Sequence, residues 1–184
     1  MKKILFVAAF AAVFCFGSAA LAADDEESWF SKWKSNVSAV ADSSNYDLYI
    51  PAYAWHNRLT YDQEHIDKYN ENPWGAGVGK HIYDNNGHWH ALYAMAFKDS
   101  NKHLETIFGY AYQYNWYFGE AKDFIAGVGY TLSLTQRSEY AYIPVPLPLP
   151  VFGVGYKKLS VQAAYVPGVK NDGNVLFTWV KIEL

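Results

Sequence analysis

IFGYAYQYNW, residues Ile107 to Trp116, is the stretch that decides the fold. Its even positions, Phe108, Tyr110, Tyr112, Tyr114 and Trp116, are all aromatic, whereas its odd positions, Ile107, Gly109, Ala111, Gln113 and Asn115, are small, polar or aliphatic. Successive side chains of a strand point to opposite faces, so the segment predicts a strand carrying an aromatic stripe on one side. A membrane barrel would turn that stripe to lipid and keep the small and polar positions inside. A soluble, aromatic-rich β-sandwich is the competing reading of composition alone.

The composition narrows the classes. The chain holds 16 tyrosines, 11 phenylalanines and 7 tryptophans in 184 residues. Its first residues read as a secretory signal: Lys2 and Lys3, an apolar run from Ile4 to Phe16, then Ala20-Leu21-Ala22, with cleavage expected after Ala22. The single cysteine, Cys15, lies in that run, so the mature chain is expected to have neither disulfides nor thiol catalysis. Removing Lys2 and Lys3 from 15 basic residues leaves 13 against 18 acidic ones, which argues against a nucleic-acid partner. The remainder, residues 23–184, fits one domain, and no apolar helix long enough to span a bilayer follows the signal.

Asp24 to Ala41 predicts a helix, with Trp29, Trp33, Val37 and Val40 on one face and acidic residues crowding its first turn. Such a helix packs on a soluble core or lies at a membrane surface; the tryptophans favour the second. Strands are predicted near 46–56, 75–83, 88–97, 103–117, 123–135, 149–156, 158–166 and 174–184. Short turns, as at Asn86-Gly87, alternate with longer connections at 57–74, 136–148 and 168–174. Eight strands with that alternation predict a closed antiparallel barrel crossing the outer membrane, the amphipathic helix preceding it. Both faces of 88–97 are largely apolar, so the interior is expected to hold hydrocarbon rather than water.

Proline is misplaced for an ordinary sheet. Pro144, Pro146, Pro148 and Pro150 occupy every second residue, so strand periodicity aims all their missing N–H donors at one neighbour. The segment is either an extended loop entering the sheet or a gap in the barrel wall. Pro167 ends the next strand, Pro51 lies within the first and Pro73 precedes the second. Open edges are costly in a bilayer, and two proline-flanked gaps would let lipid pass sideways.

Chemistry is expected at one rim. In an up-and-down barrel the first and third strands end on the same side, which brings His56 near Asp99 and Ser100. These are residue types of acyl transfer, although a linear relay through all three strains strand geometry. His88 and His90 share a face without a carboxylate cluster, so no metal site is expected.

YDLYIPAYAWH (46–56), YNENPWGAGVG (69–79), HWHALYAMAFKDS (88–100), YIPVPLPLP (142–150) and YVPGVKNDGNV (165–175) together resemble the lipid A palmitoyltransferase family of Gram-negative outer membranes. The similarity runs in order through nearly the whole mature chain. It implies an eight-stranded barrel that moves a palmitoyl chain from the sn-1 position of a phospholipid to a hydroxyacyl chain of lipid A, without a cofactor. By the same resemblance His56, Asp99 and Ser100 are the catalytic residues, with His56 as general base, Asp99 orienting it and Ser100 assisting as oxyanion donor or nucleophile. Pro51 with Pro73, and Pro150 with Pro167, flank lateral lipid gateways. Ala111, where the family has glycine, and Trp89 form the acyl-chain ruler. The added methyl predicts a chain about one methylene shorter or a displaced pocket floor, because a filled core absorbs extra volume only with strain. A monomer or weak homodimer is expected. The rivals are a small non-enzymatic outer-membrane barrel and a phospholipase.

Overall fold

The structure, a computed structural model, describes residues 28–184. The expected signal peptide and the acidic start of the predicted helix lie outside the described residues. Helix α1 runs Trp29–Asp42, and the Ser31 N–H donates to its capping Ser28 hydroxyl at 3.3 Å. Eight strands follow: β1 Tyr46–His56, β2 Gly75–Tyr83, β3 Trp89–Lys98, β4 Leu104–Phe118, β5 Phe124–Gln136, β6 Val145–Tyr156, β7 Leu159–Val166 and β8 Val175–Glu183. They close in sequence order into one antiparallel barrel, β8 pairing with β1. A short helix, α2 (Gln63–Lys68), lies in the β1–β2 connection.

The alternation places side chains as strand geometry requires. Inward positions pair across the wall, Ala91 with Ala111 and Ala111 with Thr131. The interior core consists of Tyr49, Trp89, Ala91, Met95, Phe97, Ile107, Ala111, Leu149, Val151, Ala164 and Trp179. An eight-stranded barrel is just wide enough for side chains to fill. Outward, Phe108, Tyr114 and Trp116 are 41, 43 and 46% exposed, but Tyr110 is only 5% exposed. Helix α1 accounts for the difference: the Trp33 ring meets Tyr110 edge-on at 5.9 Å, and Lys80 Nζ donates to the Ala41 carbonyl at 2.8 Å. One member of the aromatic stripe therefore faces the helix, not the membrane. Trp29, on the predicted apolar face of the helix, is 69% exposed.

The prolines correct one expected boundary. β6 begins at Val145 rather than 149, so Pro146, Pro148 and Pro150 lie inside a strand. All three pair with β5, opposite Leu134, Leu132 and Tyr130. Their missing donors face β7, and β6 pairs with β7 only over Val151–Tyr156. The β1–β2 pairing is short in the same way, covering Tyr46–Tyr49 and leaving Ile50–His56 without a β2 partner. β1 nonetheless pairs with β8 along its length, through a bulge between Pro51 and Tyr53. The wall therefore has two seams, each open in the half nearer the His56 rim.

Candidate active site

His56 ends β1 beside the first seam and is 1% exposed. Its ring is boxed on two sides, stacked on Tyr69 at 4.9 Å and met edge-on by Tyr61 at 5.1 Å. Both ring nitrogens have partners. Nε2 lies 3.0 Å from the Ser100 hydroxyl, and Nδ1 lies 3.1 Å from Glu71 Oε1. A carboxylate only accepts hydrogen bonds, so Nδ1 carries the proton and Nε2 presents its lone pair to Ser100. That is the arrangement of a serine nucleophile, a histidine base and an orienting acid.

The carboxylate at the imidazole is Glu71, not Asp99 as the sequence suggested. Asp99 Oδ1 accepts the backbone N–H groups of Asn101 and His103 at 2.8 and 2.9 Å, and Oδ2 lies 3.8 Å from the Arg137 guanidinium. Asp99 thus shapes the turn that presents Ser100. The Glu71 loop is fastened to that same turn: the Asn70 N–H donates to the Ser100 carbonyl at 2.8 Å, and the Asn70 amide donates to the Asp99 carbonyl at 3.3 Å. Asp99 and Ser100 therefore share the rim with His56, with Ser100 alone of the pair touching the ring.

Glu71 is held from several directions. Arg58 Nη1 and Nη2 donate to its two oxygens at 2.5 and 2.7 Å, Tyr53 donates to Oε2 at 2.5 Å, and the His56 N–H donates to Oε1 at 3.2 Å. The Arg58 guanidinium, the Tyr53 hydroxyl and the His56 donors outweigh partial burial and hold the Glu71 carboxyl well below the usual carboxylate range. The Glu71 carbonyl also accepts the Ala54 N–H at 3.0 Å. Two β1 donors that lack a β2 partner are thus satisfied by one residue. Sequence patterning missed Glu71 and Arg58 because both lie in the long 57–74 connection, where no period constrains them.

The remaining expected residues fall elsewhere in the wall. Pro51 and Pro73 flank the first seam, Pro150 and Pro167 the second. Ala111 and Trp89 are each 4% exposed within the barrel core. Below Trp89 the interior turns polar: Lys181 Nζ sits 4.6 Å over the Trp89 ring, and Gln113 bonds Gln162 at 3.0 Å. At the rim opposite His56, Asp47, His81 and Glu183 bring donor atoms within 4.8 Å of one another. That group was not visible in the sequence. Its charge is met from within the chain: Lys181 donates to Glu183 at 2.8 Å, Tyr49 donates to Asp47 at 2.9 Å, and His81 Nδ1 lies 2.9 Å from Asp47 Oδ1.

Comparison with known proteins agrees with the barrel. The family described as antimicrobial peptide resistance and lipid A acylation protein PagP matches residues 36–181. The lipid A acyltransferase PagP of Proteus mirabilis is 53% identical over 158 residues, covering 85% of this chain and 74% of the relative. That of Yersinia enterocolitica is 52% identical over 161 residues, covering 88% and 78%. That of Serratia proteamaculans is 54% identical over 153 residues, covering 81% and 78%. The chain belongs to the PagP family of lipid A acylation proteins.

Proposed function

We propose that this protein is an outer-membrane enzyme that transfers an acyl chain from the sn-1 position of a glycerophospholipid to a hydroxyacyl chain of lipid A, through Ser100 and His56. The observation that carries the reading is the 3.0 Å contact between His56 Nε2 and the Ser100 hydroxyl, set at a rim above an apolar interior and between two wall seams. His56 accepts the Ser100 proton as Oγ attacks the donor ester carbonyl. The ester C–O bond then breaks, and the lysophospholipid leaves with the proton returned from His56. In the second half, His56 takes the proton of the lipid A hydroxyl, whose oxygen attacks the acyl-serine carbonyl. The Ser100 C–O bond breaks and the proton returns to Ser100. The donor is already an activated ester, so the balance needs no cofactor.

The seams give amphipathic lipids lateral entry, and the core between the rim and Trp89 accommodates an acyl chain. Ala111 and Trp89 set its length, and the Ala111 methyl shortens it by about one methylene. Pro51, Pro73, Pro150 and Pro167 keep the entrances free of ladder hydrogen bonds. One chain supplies every site residue, so a monomer suffices. Outer-membrane residence follows cleavage near Ala22. Mass spectrometry of lipid A exposed to donor phospholipid with and without the protein tests the reading. An added acyl mass is expected; free fatty acid with unmodified lipid A would make it a phospholipase, and no reaction would leave a non-enzymatic barrel.

A further inference from the structure

We infer that Glu71 is the positioning residue of the catalytic base: it locks His56 in the tautomer and orientation that face Ser100, and Arg58 locks Glu71. The inference rests on the acyl-serine reading above. The His56 ring makes one bond to each of two carriers, Ser100 at Nε2 and Glu71 at Nδ1. The opposite tautomer would point a protonated Nε2 at Ser100 and could not accept its proton. Glu71 forbids this, because an ionised carboxylate cannot donate to an unprotonated Nδ1. Its own freedom is removed by the paired Arg58 bonds and by Tyr53, a fork geometry that fixes direction as well as charge.

Asp99 does not fill the same role. Its Oδ1 is taken up by the Ser100 turn, and its Oδ2, which makes no hydrogen bond, lies 3.8 Å from Arg137. The charged and titratable groups around the imidazole are Glu71, Arg58, Tyr61 and Tyr69. Among these Glu71 supplies the negative charge that stabilises an imidazolium when the Ser100 proton arrives. The part is that of the acid in serine hydrolases, where the wrong tautomer, not lost binding, is what removal produces.

The experiment compares full-length wild type, Glu71→Gln, Glu71→Asp and Arg58→Gln refolded into vesicles of phospholipid and lipid A. Transfer rate, acyl trapping on Ser100 and the pH profile are read on each. Glu71→Gln is expected to lower kcat by about 10²–10⁴-fold with KM little changed. Its rising limb should move to lower pH, because the imidazolium loses its anionic neighbour. Glu71→Asp should recover part of the rate, and Arg58→Gln should show a smaller loss with the limb moved to higher pH, because the guanidinium that disfavours the imidazolium is gone. A wild-type rate of Ser100 acylation in Glu71→Gln, or an undisplaced limb in both neutralising variants, would overturn the role of Glu71. If Glu71→Gln does not refold, Glu71→Asp decides, an undiminished rate of Ser100 acylation overturning the role. Undiminished transfer by Ser100→Ala would instead remove the acyl-serine reading itself, which separates the two failures.

Discussion

The two seams are built alike and finished differently. Each lies between strands whose pairing stops partway, at Tyr49 opposite Gly77 in the first and at Val151 opposite Ala164 in the second. At the first, the unpaired donors of β1 are taken up by Glu71, and the guanidinium of Arg58 and hydroxyl of Tyr53 converge on the same carboxylate. At the second, the donors are simply absent, because three residues of β6 are prolines directed at β7. One opening is latched by a polar network that includes His56. The other is an opening made by subtraction. A barrel can thus leave its wall incomplete either by omitting the hydrogen-bonding groups or by satisfying them from a loop, and the contact of His56 with Ser100 lies beside the second solution.

The comparison breaks most sharply at His56. His56→Ala is expected to lower transfer by at least about 10²–10⁴-fold while the barrel still refolds, checked by its heat-resistant compact migration on a gel. Full activity would detach the latched seam from the chemistry. Replacing Pro146, Pro148 and Pro150 together by valine returns three donors on the β7 side, of which that of residue 150 falls opposite a β7 residue, Tyr165. One new ladder bond contributes about 0.5–1.5 kcal/mol, so the urea midpoint should rise modestly while transfer slows through weaker donor or acceptor entry. A slower transfer with unaltered KM for both lipids would show that this seam is not an entrance. Ala111→Gly sharpens the comparison within the interior, with a preferred chain longer by about one methylene, worth about 0.8 kcal/mol of burial; donors of stepped length read it. The smallest effect is on the latch itself. Its carboxyl sits below the ordinary value of 4.5, so its stabilisation is complete above that pH and is lost only as pH falls through the lower folded value. Tryptophan fluorescence should therefore report an unchanged structure from pH 7 to 5.

Much of this was legible in the sequence. Period-two alternation in Ile107–Trp116 implied an outward aromatic stripe, and turn residues such as Asn86-Gly87, with Gly87 at φ 81°, located the hairpins. Counting strands placed His56, Asp99 and Ser100 on one rim. Three features escaped for physical reasons. β6 was cut short because proline argues against a strand unless the donors it lacks have no ladder to join. Tyr110 was assigned to lipid because alternation specifies a face but not what covers it. Glu71 was passed over because a carboxylate reaching His56 from a loop follows no period, whereas Asp99 stood beside Ser100 in the chain.

The incomplete pairings also divide the upper wall into two staves, β2–β6 and β7–β8–β1, whose strands pair only below, while Glu71 in the 57–74 connection bridges the first joint above. His56 stands on the narrow stave, Ser100 on the broad one. The contact between them is therefore a clasp across the joint. Parting the first joint would lengthen the 3.0 Å contact between His56 and Ser100, so that pair registers whether this side of the wall is shut.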